Sequence, residues 1–199
     1  VNIAYIGDNW QINQLKKFTT LLNIQNIRVL KKIQRLAELL YPVIEEYEEE
    51  VRSQVLHSLC LFSLCFYCSK DNEDIPDLEY VTTRGYRTLG LGKKEEKSEK
   101  EKKWDSMMQH YQYYVTDELD LEIKKAVLTG YFVEDEVKIN ASLKNKEFQL
   151  ANLSQLGSGV LSHISENIVA GEQTLDFEYN GRDWIGSTRI VAKPGGVDL

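Results

Sequence analysis

Residues 51–69 read VRSQVLHSLCLFSLCFYCS and contain the longest apolar run of the chain, from Leu56 to Cys68. The 13 residues of this run fall short of the roughly 20 that a membrane-spanning helix needs, so they predict a helix buried in a protein core. The chain's three cysteines, Cys60, Cys65 and Cys68, all lie in this run. An odd, clustered set of thiols in an apolar helix is typical of a reducing compartment and not of a disulfide framework. We therefore expect a cytoplasmic protein with no membrane association, organised around one buried helix.

The composition indicates a globular protein. The chain has 199 residues, of which 42% are apolar and 28% are charged, and its net charge is −7. The apolar fraction is far too high for a disordered chain, and the length suits one domain or two small ones. Collagen-like proteins, membrane bundles and disulfide-rich scaffolds are excluded.

Two amphipathic helices are predicted before the buried one. Asp8 or Asn9 can cap the first of them, and from Ile12 onward its apolar residues recur every three or four positions: Trp10, Ile12, Leu15, Phe18 and Leu22. Residues 23–26 interrupt the pattern. The second helix then presents one apolar stripe, Ile27, Leu30, Ile33, Ala37 and Leu40. Pro42 should end or kink this second helix.

The middle of the chain predicts a linker. Residues 71–92 have the composition of a loop, and residues 93–103 are a run of lysines and glutamates. Such a run cannot bury itself, so it is either a solvated helix or a disordered segment. We place the domain boundary here: a helical segment over 1–70, a loop and charged linker over 71–103, and a second helical region with a small β element over 104–199. Whether the two halves touch cannot be read from the sequence.

The second half begins with two predicted helices. The first has one aromatic face, made of Trp104, Met107, Met108, Tyr111, Tyr114 and Val115. Thr116 or Asp117 can cap the second, and Gly130 stands where a helix C-terminus favours glycine. Its inward residues are Leu119, Ile123, Ala126 and Val127.

The remaining residues give a mixed signal. Over 132–156, the alternation of Val137, Ile139, Ala141 and Leu143 with polar residues favours a strand, although a helix stays open. A short helix is expected over 161–170, and Asn180-Gly181 predicts the turn of a hairpin. The expected fold class is therefore mainly α, a helical bundle plus a second helical half with a small C-terminal β-hairpin.

Residues 26–33 read NIRVLKKI and begin the second helix after a short helix and a tight loop. Over residues 8–41 the chain resembles the sensor-2 segment in the helical lid of AAA+ and related STAND or KAP-type P-loop ATPases, where an Asn or Gly, an apolar residue, an Arg and a Leu begin a lid helix. Arg28 matches the arginine that reaches the γ-phosphate of ATP, and Asn26 matches the residue that shapes the turn and caps the helix. A guanidinium suits this role because it is permanently charged and forks onto phosphate oxygens.

The resemblance implies a function for the whole chain. It makes residues 1–70 lid-like and the chain the C-terminal lid, regulatory and oligomerisation part of an ATP-hydrolysing enzyme, with ATP and Mg²⁺ bound through a catalytic core upstream. It also implies a homo-oligomer or a protein partner, and a setting such as bacterial antiviral defence. The sequence has no Walker A motif, because Gly92-Lys93-Lys94 lacks both the following Ser/Thr and the upstream Gly. We therefore do not expect this chain alone to hydrolyse ATP.

Two rival functions stay open. One is a non-enzymatic helical module for protein–protein interaction. The other is a nucleic-acid adaptor that uses the basic stripe of the second helix, although an acidic chain is a poor general binder. That stripe consists of Arg28, Lys31, Lys32 and Arg35.

The sequence predicts neither a catalytic nor a metal site. Ser158 and His163 lack the nucleophile-elbow pattern and a third member. A zinc site from His57, Cys60, Cys65 and Cys68 is not expected either, because a straight helix would spread these ligands over roughly 16 Å.

Overall fold

The computed structural model describes residues 9–83, 97–167, 173–179 and 184–190, and the side chains as far as residue 152. Within these residues the chain is mainly helical, as the sequence predicts. The chain divides into two compact units, of which the first ends at Phe148 and the second begins at Gln149. The described elements are α1 Trp10–Leu21, α2 Ile27–Ile44, α3 Glu49–Cys68, α4 Leu78–Thr82, α5 Glu99–His110, α6 Glu118–Thr129, α7 Glu134–Asn167, β1 Gln173–Tyr179 and β2 Trp184–Ile190.

The first helix follows its predicted pattern closely. Asn9 is its N-cap, since its Oδ1 accepts a hydrogen bond from the Ile12 backbone N–H at 2.9 Å. The side chains of Ile12, Leu15 and Phe18 are buried at the predicted three- and four-residue spacing. The chain leaves the helix through Asn23, which has a positive φ of 50°, a backbone conformation that asparagine tolerates better than most residues.

The second helix differs from its prediction at its first residue. Ile27 is 61% exposed, whereas Leu30 and the rest of the predicted stripe are buried. The expectation for Ile27 is wrong because helical side chains tilt toward the N-terminus, so the first residue points past the end of the helix. Pro42 lies inside the last turn, and the helix ends two residues later at Ile44.

The buried helix predicted over 51–69 is α3, and it is the centre of the first unit. It packs against α1, α2, α4 and α6. Its 20 residues make it longer than the 13-residue apolar run. By length and composition α3 could cross a membrane, the only helix in the described part of the chain that could. Most of its side chains are instead buried within this bundle.

The predicted linker contains two helical segments. Residues 71–92 were expected to be a loop, but α4 lies within them, with the Asp77 carboxylate accepting from the Tyr80 backbone N–H at 2.7 Å as its N-cap. Residues 84–92 lie outside the described part. In the charged run α5 begins at Glu99, where Ser98 and Glu101 form a reciprocal capping box. Of the two alternatives for this run, the helix therefore holds for residues 99–103.

The helices before and after the charged run share one core. Ser58 of α3 donates to Asp120 of α6 at 2.6 Å, and both side chains are buried. Trp104 of α5 packs its ring edge-on against Tyr80 of α4, with 4.9 Å between the ring centroids. This answers the question that the sequence left open. By packing, the chain divides after Phe148, and residues 97–148 belong to the same unit as 9–83.

The predicted aromatic face is correct only for its first part. Trp104, Met108 and Tyr111 are buried, but Tyr114 and Val115 are 57% and 61% exposed. The expectation for these last two residues is wrong because α5 ends at His110, so the helical spacing does not continue through them.

The next helix, α6, agrees with its prediction. Asp117 is its N-cap, and Gly130 ends it with a left-handed φ of 79°. All four predicted inward residues, Leu119, Ile123, Ala126 and Val127, are buried.

The strand favoured for 132–156 is wrong. Residues from Glu134 onward form the long helix α7, in which Val137 and Ala141 are buried while Ile139 and Leu143 are more than half exposed. Residues two apart lie on nearly opposite sides of a helix. An alternating apolar pattern can therefore arise from a helix with two apolar faces.

The second unit comprises the end of α7 and the two strands. The helix continues to Asn167, within the span where a separate short helix was expected. The two strands pair antiparallel, with Gln173 opposite Ile190 and Tyr179 opposite Trp184. Asn180 and Gly181 lie outside the described residues, so the hairpin turn stays a prediction.

Candidate functional site

The predicted sensor segment lies at the start of α2. The Asn26 side-chain Oδ1 accepts a hydrogen bond from the Arg28 backbone N–H at 3.0 Å. The backbone carbonyl of Asn26 accepts a second one from the Leu30 backbone N–H, also at 3.0 Å. Asn26 is thus the N-cap of α2. The cap holds the chain so that Arg28 is the second residue of the helix.

The Arg28 side chain is exposed. In the described part of the chain it forms no ion pair and no side-chain hydrogen bond. It stands at the helix end that carries the partial positive charge of the macrodipole, which adds to the attraction for an anion. The guanidinium can therefore meet a phosphate without first breaking a contact of its own.

The basic stripe of α2 is not uniform. Lys31 and Arg35 are exposed like Arg28, but the Lys32 ammonium lies 3.8 Å from the centroid of the Tyr67 ring. This cation–π contact ties Lys32 to α3. The surface available to an extended polyanion is correspondingly smaller than the sequence suggests.

A cleft of about 520 Å³ opens between α1 and the N-terminal half of α3. Its lining includes Lys17 and Leu21 of α1, and Glu50, Ser53 and Gln54 of α3. Carboxylate, hydroxyl, amide and ammonium groups line it together, without a pattern specific for one ligand class. This cleft could not be predicted from the sequence, because the residues that line it are far apart in the chain.

His57 lies at the inner edge of the cleft and is held tightly. Its Nε2–H donates to the Tyr111 carbonyl at 2.8 Å, and the Tyr111 hydroxyl donates to the His57 carbonyl at 3.0 Å. The two rings are stacked, with 4.0 Å between centroids and 5° between planes, and Phe18 packs edge-on against the imidazole. Burial lowers the pKa of His57, and the nearby charge of Lys17 lowers it further. We infer that His57 is a neutral structural residue.

Asp120 is a buried carboxylate of the first unit, 1% exposed, with hydrogen bonds to both of its oxygens. One carboxylate oxygen accepts from the Ser58 hydroxyl at 2.6 Å and the Gln54 amide at 3.3 Å. The other accepts from the Tyr113 hydroxyl at 3.1 Å and the Asp117 backbone N–H at 3.2 Å. Burial raises the pKa of Asp120, and the neighbouring Asp117 raises it further. Four donors thus hold a carboxylate between α3, α6 and the segment that precedes α6.

The second carboxylate of this network connects it to α7. Asp117 accepts from the Gln54 amide at 2.8 Å and pairs with the Lys144 ammonium at 3.0 Å. Lys144 also pairs with Glu147 one turn further along its own helix, at 2.9 Å. These groups satisfy one another, and none of them is positioned as an acid or a base toward a vacant space.

The cysteines are unsuited to nucleophilic chemistry. Cys60 and Cys65 are fully buried, and burial raises the pKa of each thiol well above its ordinary value. Cys68 is partly exposed, with a pKa that burial also raises. Among the described residues no group of three or more His, Cys, Asp and Glu side chains could hold a metal ion. The side chains of Ser158 and His163 lie beyond those described.

Sequence reasoning missed the Asp120 network. A signal was present, since Asp117 and Asp120 are spaced three apart at the start of a helix, as in a capping box. That spacing predicts the local bonds between the two residues. It does not predict Ser58 and Gln54, which approach from a helix about 60 residues earlier.

Comparisons with protein-family models, curated proteins and solved structures found no match to this chain. The likeness to an ATPase lid therefore depends on the residues of the Asn26–Arg28 segment and on their geometry.

Proposed function

We propose that this chain is the helical lid and oligomer-forming C-terminal part of a P-loop ATPase, in which Arg28 contacts the γ-phosphate of ATP. The observation that carries the proposal is the Arg28 guanidinium, exposed and unpaired within the described residues, in the first turn of a capped helix. A helix–loop–helix of this kind, with an arginine at the start of its second helix, is the arrangement that the resemblance implies.

The proposal requires a phosphate-binding core outside these 199 residues, because their sequence holds no Walker A motif. ATP and Mg²⁺ would be held mainly by that core. From this chain, Arg28 would contribute one charged donor to the phosphate oxygens, and Asn26 would keep it in position. An arginine on the γ-phosphate distinguishes ATP from ADP, so lid position would follow the nucleotide state.

The test is ATP turnover by the longest natural chain that contains these residues, compared with Arg28→Ala and Arg35→Ala variants. Arg35 is exposed on the same helix two turns later, which makes it a matched control. A hydrogen bond to a charged group contributes about 1.5–3 kcal/mol, so loss of Arg28 should reduce turnover by roughly 10- to 100-fold. The Arg35 variant should match the wild type.

Two results would contradict the proposal. One is a natural chain without any phosphate-binding loop. The other is equal turnover in the Arg28 and Arg35 variants. Either result would leave the helical interaction module as the better description, and this second candidate is favoured by the exposed apolar face of α7.

A further inference from the structure

The first turns of α7 are attached to the bundle by few buried side chains. Among the side chains described in this helix, residues 134–152, only Val137 and Ala141 are buried. The neighbouring helix α6 buries half of its 12 residues. We call residues 134–148, the part of α7 that belongs to the first unit, the strap. An element with so little buried apolar surface separates from its neighbours at a lower free energy than a core helix does.

Two hydrogen bonds join the strap to the turn between α2 and α3. The Asn145 Oδ1 accepts from the Glu48 backbone N–H at 2.8 Å, and the Tyr47 hydroxyl donates to the Lys138 backbone carbonyl at 3.2 Å. Glu48 is the N-cap of α3, and its own side chain makes no capping hydrogen bond. Both bonds to the strap lie at exposed positions, so water can replace either partner when the strap moves away.

An ion pair joins the strap to α6. The Lys144 ammonium lies 3.0 Å from the Asp117 carboxylate, and the two side chains are 24% and 30% exposed. Asp117 also accepts from the Gln54 amide at 2.8 Å, and Lys144 also pairs with Glu147 of its own helix at 2.9 Å. Separation of the strap would therefore leave each charge with a second partner.

The strap ends at the cleft beside α1 and α3. Phe148 is among the residues that line this cleft, and its side chain is partly buried against the core. The Lys144 ammonium lies 5.5 Å from the centroid of the Phe148 ring. The side chain that pairs the strap with α6 thus also contacts the ring that lines the cleft, and movement of the strap would carry that ring away.

We propose that the strap is a releasable arm, which separates from the bundle while α1, α2, α3 and α6 stay folded, and which opens the cleft on its Phe148 side. Release breaks one partly buried ion pair and two exposed hydrogen bonds, and it uncovers Val137 and Ala141. Separation of α6 would instead expose apolar side chains along that whole helix and break the Asp120 network. This inference goes beyond the proposed function and does not depend on Arg28.

Thiol accessibility tests the release. Ala141→Cys and Ala126→Cys each place a thiol at a fully buried position, the first in the strap and the second in α6. Iodoacetamide under native conditions, with peptide mass spectrometry as the readout, should label position 141 at least about tenfold faster than position 126, because only the strap opens without the bundle. Equal labelling rates at the two positions would overturn the proposal.

A charge substitution tests the ion pair. Lys144→Met keeps an unbranched side chain and removes the contact with Asp117, so it should speed labelling at position 141 by about two- to fivefold. Lys146→Met is the matched control, because Lys146 is exposed on the same helix, and it should leave that rate unchanged. Labelling at position 126 should respond to neither variant. Equal effects of the two lysine variants at position 141 would contradict the proposal.

The opening of the cleft has its own readout. Ser53 lines the cleft, and Ser53→Cys changes its side chain little. A bulky maleimide should label this thiol faster in the Lys144→Met background than in the Lys146→Met background. Equal rates would refute the part of the proposal that concerns the cleft.

Hydrogen exchange of the unsubstituted chain covers the case in which a thiol at position 141 itself loosens the strap. The amides of residues 137–148 should exchange faster than those of residues 121–129, with a weaker dependence on urea, because less surface is exposed when the strap opens. Equal protection of the two segments would overturn the proposal. Arg28→Ala should leave all of these rates unchanged, so failure of the ATP contact and failure of the release would be seen separately.

Discussion

Replacement of Asp120 by alanine should destabilise the first unit more than any exposed substitution. The variant removes the acceptor of the Ser58 hydroxyl, which donates at 2.6 Å in a buried setting, whereas the Tyr113 hydroxyl keeps Thr116 as a partner at 2.8 Å. A buried donor left without a partner costs about 1–3 kcal/mol. We therefore expect a decrease of about 1–3 kcal/mol in the free energy of unfolding.

Urea denaturation followed by circular dichroism measures this loss, with Glu118→Ala as the control. Glu118 is exposed in the first turn of the same helix, and its removal should change the stability by no more than about 0.5 kcal/mol. Equal stability of the two variants would refute the reasoning, because it would mean that the four donors gain nothing from the carboxylate.

The pH dependence gives a second check on Asp120. Burial raises its pKa in the folded chain above the unfolded value of about 3.9. At pH values between the unfolded and the folded pKa, the folded state therefore binds more protons than the unfolded state. The pH-dependent part of the stability that Asp120 contributes is therefore complete below the unfolded pKa and is lost as the pH rises through the folded pKa. The stability of the wild type relative to Asp120→Asn should decrease from pH 4 upward. A difference that stays constant with pH would contradict the assigned shift.

Two further predictions concern the helix cap and the thiols. Asn26→Ala removes the side-chain acceptor of the α2 cap and should lower the free energy of unfolding by about 1 kcal/mol. Asn26→Asp keeps the acceptor and should lower it much less. Urea titration of both variants measures the two losses. Iodoacetamide should label Cys68 alone in the native chain, because Cys60 and Cys65 are fully buried. In urea all three cysteines should react. Labelling of Cys60 or Cys65 under native conditions, seen by peptide mass spectrometry, would refute the assigned burial.

A helix of the first unit could be predicted from the sequence where only one of its faces is apolar and that face packs into the core. The spacing of Leu15 and Phe18 in α1, the Asn9 cap and the Gly130 terminus are local signals, and the structure uses them as the sequence indicates. For α7 the same reasoning failed, because apolar residues lie on two of its faces. Taken together along the sequence, these residues give the alternating apolar and polar pattern that is typical of a strand. Only the position of the bundle shows which of the two faces is buried.

The polar network could not be predicted, because its members come from separate parts of the sequence. The spacing of Asp117 and Asp120 predicts a helix start, and that part is local. Gln54 and Ser58 look like two polar interruptions of an apolar helix until α6 lies beside them. Composition could not show that the helices on both sides of the charged run belong to one unit, since it describes solvation and not which helices pack together.

The bond between Ser58 and Asp120 also bears on how the protein is made. The two residues are 62 positions apart, and α3 remains uncovered on this side until α6 has been synthesised. At about 5–20 residues per second, the ribosome leaves that face open for roughly 3–12 seconds. During this interval the nascent chain displays a helix with the length and hydropathy of a membrane span. Early binding by a chaperone at the tunnel exit would keep this helix from aggregation and from the membrane-insertion machinery.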